Sequence, residues 1–239
     1  MNVLLVARRD LAAYLNSPSG YIIVGALLFI LGLLFNALSY FAGPAYSHEL
    51  LEAFFLYAFG TTLITSVLLS MRSFAEEKSQ GTDVLLETSP VSEGEVVLGK
   101  FLAGVGMVSI FVLLTLYMPL LILWNGKIAV GHLVVGYIGL LLVGATGTAI
   151  GNFGSALSQS QVVAAVLSGV MVTFMMILGE IGQFSEAPLD AIHYLDLFDT
   201  HFPAFQSGRL ELSGVVFYLS TAALFLWLTT QVLKGRRWQ

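Results

Sequence analysis

The chain contains no cysteine, and only 10% of its 239 residues are Asp, Glu, Lys or Arg. The lack of cysteine excludes disulfides, thiol catalysis and metal sites built from cysteine. Soluble globular domains carry roughly 25% charged residues, so the low charge excludes a water-soluble enzyme and a disordered chain. Apolar sequence is abundant, with 57% hydrophobic residues and a mean hydropathy of +0.86. This composition predicts a protein that crosses a membrane several times, and the net charge of −5 gives no indication of a nucleic-acid partner.

The apolar runs are long and lack a two-residue period, which predicts spanning helices rather than the strands of a barrel. Each spanning helix needs about 20 apolar residues, so a chain of 239 residues holds about six of them. We therefore predict an all-α, polytopic membrane protein whose residues 1–239 form a single domain. The predicted spans are 21–41, 51–71, 96–124, 132–155, 162–181 and 212–233.

Residues 1–19 precede the first span and predict an amphipathic helix lying in the membrane interface. Leu4, Leu11 and Tyr14 fall on one side of its helical wheel, with Arg9 and Asp10 across from them. If the N-terminus is cytoplasmic, eight of the ten Lys and Arg residues lie inside. That bias predicts that both termini are cytoplasmic.

Small residues recur along the fourth span, where Gly147, Gly151 and Ser155 are four residues apart and share one helix face. Such a face lets two helix backbones approach closely. We expect it to pack inside one subunit, and the alternative is a lining for a translocation path or a seam between subunits.

Ionisable residues are almost absent from the six predicted spans. A carrier driven by an ion gradient usually has intramembrane Asp, Glu or His residues, so this absence argues against that class. The run from Gly94 to Phe101 resembles a phosphate-binding loop, but Phe101 stands where Ser or Thr is needed to bind Mg²⁺. Ser92 and Glu95 instead predict a capping box that begins a helix. We therefore expect no nucleotide site and no catalytic residues in this chain.

The predicted outer segment, residues 182–212, mixes acidic residues and histidines with apolar ones. Asp190, His193, Asp196, Asp199 and His201 raise the alternative of a metal site. Because leucine, isoleucine and phenylalanine alternate with them at three-residue steps, we favour short re-entrant or interfacial helices with an acidic face and no metal.

Residues 72–95 form the longest charged stretch and are predicted to lie in the cytoplasm. Gly81 suits a helix C-terminal cap, which predicts that the second span continues beyond the membrane and ends there. Thr82 could begin a short helix that ends before Pro90. This short helix is suited to contact a soluble partner, and the alternative is a solvated loop.

The sequence of this stretch, RSFAEEKSQGTDVLLETSPV at residues 72–91 with Gly99-Lys100-Phe101 after it, resembles the cytoplasmic loop of type-2 ABC exporter permeases. The gliding-motility-type (GldF-like) branch is the most similar one. The resemblance implies a permease subunit of an ATP-driven exporter that pairs with a second copy or a related permease. It also implies two copies of a cytoplasmic ATPase, which binds ATP and Mg²⁺, and an accessory membrane subunit with a large extracytoplasmic part.

The resemblance further implies a coupling region that receives force from the ATPase. Its residues are Arg72, Phe74, Glu76, Glu77, Gly81, Thr82, Leu85, Leu86 and Pro90. The second and fifth spans are expected to line the substrate path. Their polar residues are Thr61, Thr62, Thr65, Ser66, Ser168 and Thr173. Two alternatives remain open at this point, a haem-export-type permease of cytochrome maturation and a membrane scaffold without transport activity.

Overall fold

The computed structural model describes residues 2–41, 47–82, 91–183 and 194–236. These residues form ten helices and no strand, in agreement with the predicted all-α class. The helices are α1 (Asn2–Asn16), α2 (Pro18–Phe41), α3 (Ser47–Ser70), α4 (Arg72–Ser79), α5 (Glu93–Leu114), α6 (Tyr117–Asn125), α7 (Val130–Leu157), α8 (Gln161–Gln183), α9 (Phe202–Gln206) and α10 (Leu212–Arg236).

Six helical segments in the described part of the chain are long and apolar enough to cross a membrane. They are Pro18–Ala37, Ser47–Ser79, Glu93–Trp124, Val130–Leu157, Gln161–Leu178 and Leu212–Gly235. Their number and order confirm the six predicted spans. Alternate spans run in opposite directions, so the bundle has two ends. We call the end that carries α1, α4 and the last turn of α7 the charged end.

The third span is interrupted in its second half, which the sequence analysis did not predict. Thr115 and Leu116 separate α5 from α6, and Pro119 lies in the first turn of α6. Proline has no N–H group to donate to the carbonyl four residues earlier, and its ring crowds that carbonyl. The Thr115 carbonyl accepts the amide of Met118 instead, at 3.1 Å. The Thr115 hydroxyl lies 3.0 Å from that of Tyr137 and ties the interruption to α7.

α7 is the central helix of the bundle and contacts α3, α5, α8 and α10. Its glycines let neighbouring helices come close without a side chain between them. A Cβ atom at Gly136 would lie 2.1 Å from the Phe55 ring, and one at Gly151 would lie 2.5 Å from the Ser70 Cβ. The contact between α3 and α7 therefore depends on glycine.

α1 packs along α5 at the charged end. The contact is close because a Cβ atom at Gly99 of α5 would lie 2.6 Å from the Val6 Cβ. Asp10, expected on the outward polar face, turns toward α5 and contacts Lys100. Leu4, expected on the apolar side, is 71% exposed. The helix thus presents one face to the protein and leaves a second apolar face uncovered by the described residues.

At the opposite end, aromatic side chains of α3, α9 and α10 pack together. The ring centroids of Phe59 and Phe202 are 4.7 Å apart, and His201 stacks on Phe217 at 3.9 Å. The Tyr218 hydroxyl donates to the Leu197 carbonyl at 2.7 Å. This packing buries Leu197, Phe202 and Phe205, and α9 lies against α7.

Candidate functional site

α4 continues the second span after a one-residue interruption at Met71. Its apolar side is buried, with Phe74 only 4% exposed and Ala75 fully covered. The helix ends at Gly81, whose φ of +66° places it in the left-handed region that favours glycine. The Gly81 amide bonds the Lys78 carbonyl at 3.1 Å, and the Thr82 amide bonds the Glu77 carbonyl at 2.9 Å. These two bonds form a Schellman motif and confirm the predicted C-terminal cap.

Lys100 lies near the start of α5 and is only 4% exposed. Its Nζ atom lies 2.9 Å from a carboxylate oxygen of Glu77 on α4 and 3.2 Å from one of Asp10 on α1. It also donates to the Ser73 carbonyl at 2.6 Å and lies 5.1 Å from the centroid of the Phe74 ring. One buried ammonium group therefore links α1, α4 and α5.

Further ion pairs surround this ammonium group. Arg72 forms a two-pronged contact with Glu76, with nitrogen-to-oxygen distances of 2.8 and 2.9 Å, and donates to the Ser17 hydroxyl at 2.9 Å. Ser17 joins α1 to α2, so this contact holds the second span to the first. We call the balanced set of three cations and three carboxylates the ion-pair cluster. Its members are Arg9, Arg72, Lys100, Asp10, Glu76 and Glu77.

Two groups on α1 complete the charged end. The hydrogen bond of Arg9 to Asp10, at 2.8 Å, raises the pKa of the guanidinium above its ordinary value. Burial raises the pKa of the Tyr14 phenol, which stays protonated and donates to the Leu69 carbonyl at 3.0 Å. Residues of α1, α4 and α5, among them Asp10, Tyr14, Arg72 and Lys100, line an open cavity of about 250 Å³ at this end.

The other side of α4 contacts the end of α7 through neutral and charge-assisted hydrogen bonds. The Ser155 hydroxyl accepts the backbone amides of Phe74 and Ala75, both at 2.9 Å, and donates to the Met71 carbonyl at 2.9 Å. The Lys78 ammonium donates to the carbonyl of Ala156 and, at 3.1 Å, to that of Ser158. α4 is therefore held on both sides, by the ion-pair cluster and by α7.

The structure brings together the first part of the predicted coupling region. Arg72, Phe74, Glu76 and Glu77 lie on α4, and Gly81 and Thr82 follow it. Leu85, Leu86 and Pro90 fall outside the described residues, as does the helix predicted after Thr82. The capping box predicted for the next helix is confirmed, because the Ser92 hydroxyl and the Glu95 side chain each bond the other's backbone amide.

The predicted packing face of the fourth span lies against α3 and α4 of the same chain. A Cβ atom at Gly147 would lie 2.0 Å from the Ser66 hydroxyl oxygen, and Gly151 faces Ser70. Ser155 reaches the junction between α3 and α4 through its hydroxyl. These three residues thus form a continuous contact with the second span.

The residues expected along the substrate path fall into two groups. Thr61, Thr62, Thr65, Ser66 and Ser168 are buried within the chain, whereas Thr173 is exposed on α8. Several of the buried hydroxyls donate to their own helix, as Thr65 does to the Thr61 carbonyl at 2.7 Å and Ser168 to the Ala164 carbonyl at 2.8 Å. Their hydrogen bonding therefore satisfies local backbone groups in this conformation.

Asp196 and His201 lie at the end of the bundle opposite the charged end and make separate contacts. One Asp196 oxygen accepts the amides of Phe198 and Thr200, both at 3.1 Å, and burial raises the pKa of this carboxyl group. His201 Nε2 lies 3.0 Å from the Tyr194 carbonyl oxygen. Asp190 and His193 fall outside the described residues. Within the described ranges, no group of three or more His, Asp or Glu side chains could hold a metal ion.

The residues that resembled a phosphate-binding loop are helical. Gly94 and Gly99 lie within α5, and the Lys100 ammonium is engaged with Asp10 and Glu77. A backbone loop that could surround a phosphate is therefore not formed by this part of the chain.

Sequence reasoning missed three residues of this site. It noted Lys100 only as part of a motif, placed Asp10 on an outward face, and treated Ser155 as a small packing residue. The role of Lys100 could have been predicted in part, since a lysine eight residues into an apolar span needs a buried acceptor. Its partners, 23 and 90 positions away, could not be identified from local pattern.

Comparison with known proteins gives one result for nearly the whole chain. A family model described as ABC-2 family transporter protein matches residues 6–237. A search of curated proteins gave no match.

Proposed function

The chain belongs to the ABC-2 family of transporter proteins, and from this premise we propose that it is the permease subunit of an ATP-driven exporter. Two copies, or this chain and a related permease, form the substrate path. Two copies of a separate cytoplasmic ATPase bind ATP and Mg²⁺ and supply the energy. We also propose that the chain belongs to the gliding-motility-type branch and works with an accessory membrane subunit. Its proposed location is a bacterial inner membrane.

One observation carries this proposal, the attachment of α4 to the bundle. A permease without its own nucleotide site can receive energy only through contact with the ATPase. α4 extends the second span and is held by Lys100 on one side and by Ser155 on the other. Force applied near its end is therefore transmitted to several spans, whereas a solvated loop would bend without moving them.

The distribution of cations supports a cytoplasmic position for the charged end. Arg8, Arg9, Arg72, Lys78 and Lys100 belong to this end, and the C-terminal tail adds three more Lys or Arg residues. The predicted outer loops contain only Lys127 and Arg209. Cytoplasmic loops of membrane proteins carry an excess of Lys and Arg, so α4 faces the ATPase in this orientation.

The position of ionisable residues supports ATP rather than an ion gradient as the energy source. In the described spans, Asp, Glu, Lys and Arg occur within about two turns of a helix end, as Glu52 does in α3 and Lys100 in α5. A proton or cation relay needs such groups at membrane depth. The middle of the described bundle offers hydroxyl groups instead.

For the substrate path, we propose the six hydroxyl residues of the second and fifth spans. Thr173 is already exposed on α8, together with an apolar stripe that includes Val166, Val170 and Phe174. The α3 hydroxyls are covered by neighbouring helices, so substrate reaches them only when α3 separates from those neighbours. This requirement fits a transporter in which the path opens during the ATPase cycle.

The test is co-purification with the ATPase encoded beside this chain, followed by measurement of its ATP hydrolysis. Leu85→Asp should abolish the complex or its ATPase stimulation, because a charge is placed in the predicted contact helix. Leu210→Asp is the matched control at an exposed position of the opposite end. If Leu85→Asp and the control behave alike, the coupling assignment is wrong, and if no ATPase binds the unmodified chain, the permease function is wrong.

A further inference from the structure

We propose that the Ser155 hydroxyl is a joint that fixes α4 to the end of α7, so that a displacement of α4 is passed directly to the fourth span. Ser155 is then a positioning residue of the transport cycle. The source of the displacement rests on the proposed function, whereas the joint itself rests on contacts within the chain.

The first support is the position of the hydroxyl at the break between α3 and α4. Its oxygen accepts two amides of α4, from Phe74 and Ala75, and its proton goes to the Met71 carbonyl. A serine hydroxyl has one donor and two acceptor sites, so all three are used. A side chain inserted at this point is a known cause of helix interruption. Ser155 of α7 is therefore the residue that stabilises the interruption between α3 and α4.

The second support is another contact between α4 and α7, at the opposite end of α4 from Ser155. Lys78, in the last turn of α4, donates to the carbonyls of Ala156 and Ser158. Carbonyls at a helix C-terminus lack partners within the helix and carry a partial negative charge, which favours an ammonium group. α4 is thus fixed to α7 at its first turn and again at its last.

The third support is apolar packing between these two attachments. Phe74 and Ala156 belong to one buried cluster with Val96 and Val97 of α5. Gly151, one turn before Ser155, has no side chain to separate α7 from Ser70. The backbones come close enough for the short serine side chain to bridge them.

The two sides of α4 differ in their exposure to water. Ser155 is fully buried, whereas the Glu77 and Arg9 side chains of the ion-pair cluster are 21% and 55% exposed. Exposed ion pairs are weakened by solvent and by salt, and buried hydrogen bonds are not. Within the ion-pair cluster the Lys100 ammonium, at 4% exposure, is nearly as well shielded as Ser155, so the outer pair of Arg9 with Glu77 is the weaker part of the attachment to α1.

Hydrogen exchange of the full-length chain tests the joint directly. Ser155→Ala should raise amide exchange in residues 72–79 on the order of tenfold, because two amides lose their acceptor. Ser155→Thr retains a hydroxyl and should restore most of the protection. Ser109→Ala is the matched control, since that hydroxyl bonds its own helix at the Val105 carbonyl. Equal exchange in Ser155→Ala and the control overturns the proposal.

Distance measurements test the transmission. Because the chain has no cysteine, spin labels can be placed specifically by Gln80→Cys, directly after α4, and Leu157→Cys, the last residue of α7, both at exposed positions. In the complex with the ATPase, their distance should stay the same without nucleotide and with ATP plus vanadate. Ser155→Ala should make the distance differ between the two states. A distance that already differs in the otherwise unmodified chain overturns the proposal.

A second variant covers the case in which Ser155→Ala does not fold. Lys78→Met removes only the second attachment and should raise exchange severalfold in the last turn of α4, with the first turn still protected by Ser155. Uniform exchange along α4 in this variant contradicts the joint. Failure of the ATPase to bind contradicts the proposed function alone, because the exchange measurements need only the chain itself.

Discussion

Lys100 on α5 and Glu77 on α4 form an ion pair of 2.9 Å in which the lysine side chain is 4% exposed. The same ammonium group contacts Asp10 of α1 at 3.2 Å. A buried charge is tolerated only where several acceptors replace its water, and here two carboxylates and a carbonyl do so. The pair therefore fixes three helices at the charged end relative to one another.

Replacing Lys100 should destabilise the protein strongly. Lys100→Met leaves Asp10 and Glu77 with only the partly exposed Arg9 as a shared cation, and we expect a loss of about 2–3 kcal/mol in the free energy of unfolding. Thermal unfolding in detergent micelles measures this loss. Lys127→Met, at an exposed position, is the control and should change the unfolding temperature little. Equal stability of the two variants would falsify a structural role for the ion-pair cluster.

The shape of the Arg72 side chain should matter as well as its charge. Arg72→Lys retains the charge but cannot contact Glu76 with two nitrogens and Ser17 with a third. We expect a loss of about 1 kcal/mol in stability and weaker ATPase stimulation in the complex. Arg209→Lys is the matched control, because the Arg209 side chain donates a hydrogen bond to the Ser207 hydroxyl and forms no fork with a carboxylate. If Arg72→Lys has the stability and ATPase stimulation of the unmodified chain, the contact of two Arg72 nitrogens with Glu76 is not important.

A methyl group on the glycine face of α7 should separate α7 from α3. In Gly151→Ala the new Cβ would lie 2.5 Å from the Ser70 Cβ, so one helix must shift at a cost of about 1–3 kcal/mol. Gly169→Ala is the control, because no side chain and no neighbouring helix lies within 4 Å of its Cβ position. That control should be neutral or stabilise by up to about 1 kcal/mol, since alanine favours a helix over glycine. The unfolding temperatures of the two variants measure this difference, and equal temperatures contradict the close packing of α7 on α3.

The buried carboxyl group of Asp196 should make stability depend on pH. Its pKa is raised by burial, so ionisation costs more in the folded protein than in the unfolded chain. The associated stability is complete below the unfolded pKa and is lost as pH rises through the folded pKa. Asp196→Asn keeps an oxygen for the amides of Phe198 and Thr200 but does not ionise.

The stability of Asp196→Asn relative to the unmodified chain should therefore improve as pH is raised from about 4 to 7. Of the two side chains at this position, the carboxyl group of Asp ionises in this range and the amide of Asn does not. Unfolding midpoints across that range measure the difference between the two proteins. Asp199→Asn, at an exposed position of the same segment, controls for a general change in charge. A difference that stays constant with pH, or that reverses, contradicts the role of burial.

The parts of the fold that were predicted from sequence depend on local features. Six spans follow from the length and apolar character of the runs, and the ends at Gly81 and Ser92 follow from residues that cap helices through their own backbone or side chain. The break before Pro119 was missed, because proline also occurs inside membrane helices where neighbouring groups bond the freed carbonyl. Tyr137, whose hydroxyl contacts Thr115, lies 22 positions away.

The candidate site was predicted only in part, because its contacts join distant positions. The residues of α4 were identified from their resemblance to a family, but the partners of Glu77 and Phe74 lie 23 to 81 positions along the chain. Ser155 was grouped with glycines by size, and its hydroxyl mattered only once α4 was placed beside it. A helical wheel likewise cannot show that Asp10 faces a buried lysine.

α4 can be regarded as a mechanical arm whose length is set by its eight residues, about 12 Å at 1.5 Å per residue. An arm free at one end would turn about Met71, and a rotation of about 10° would move its tip by about 2 Å by this geometry. Here Ser155 holds the base and Lys78 holds the tip against the same helix. Such an arm cannot swing alone. We therefore expect α4 and the fourth span to move together as one rigid unit, so that a displacement of α4 is also a displacement of the fourth span.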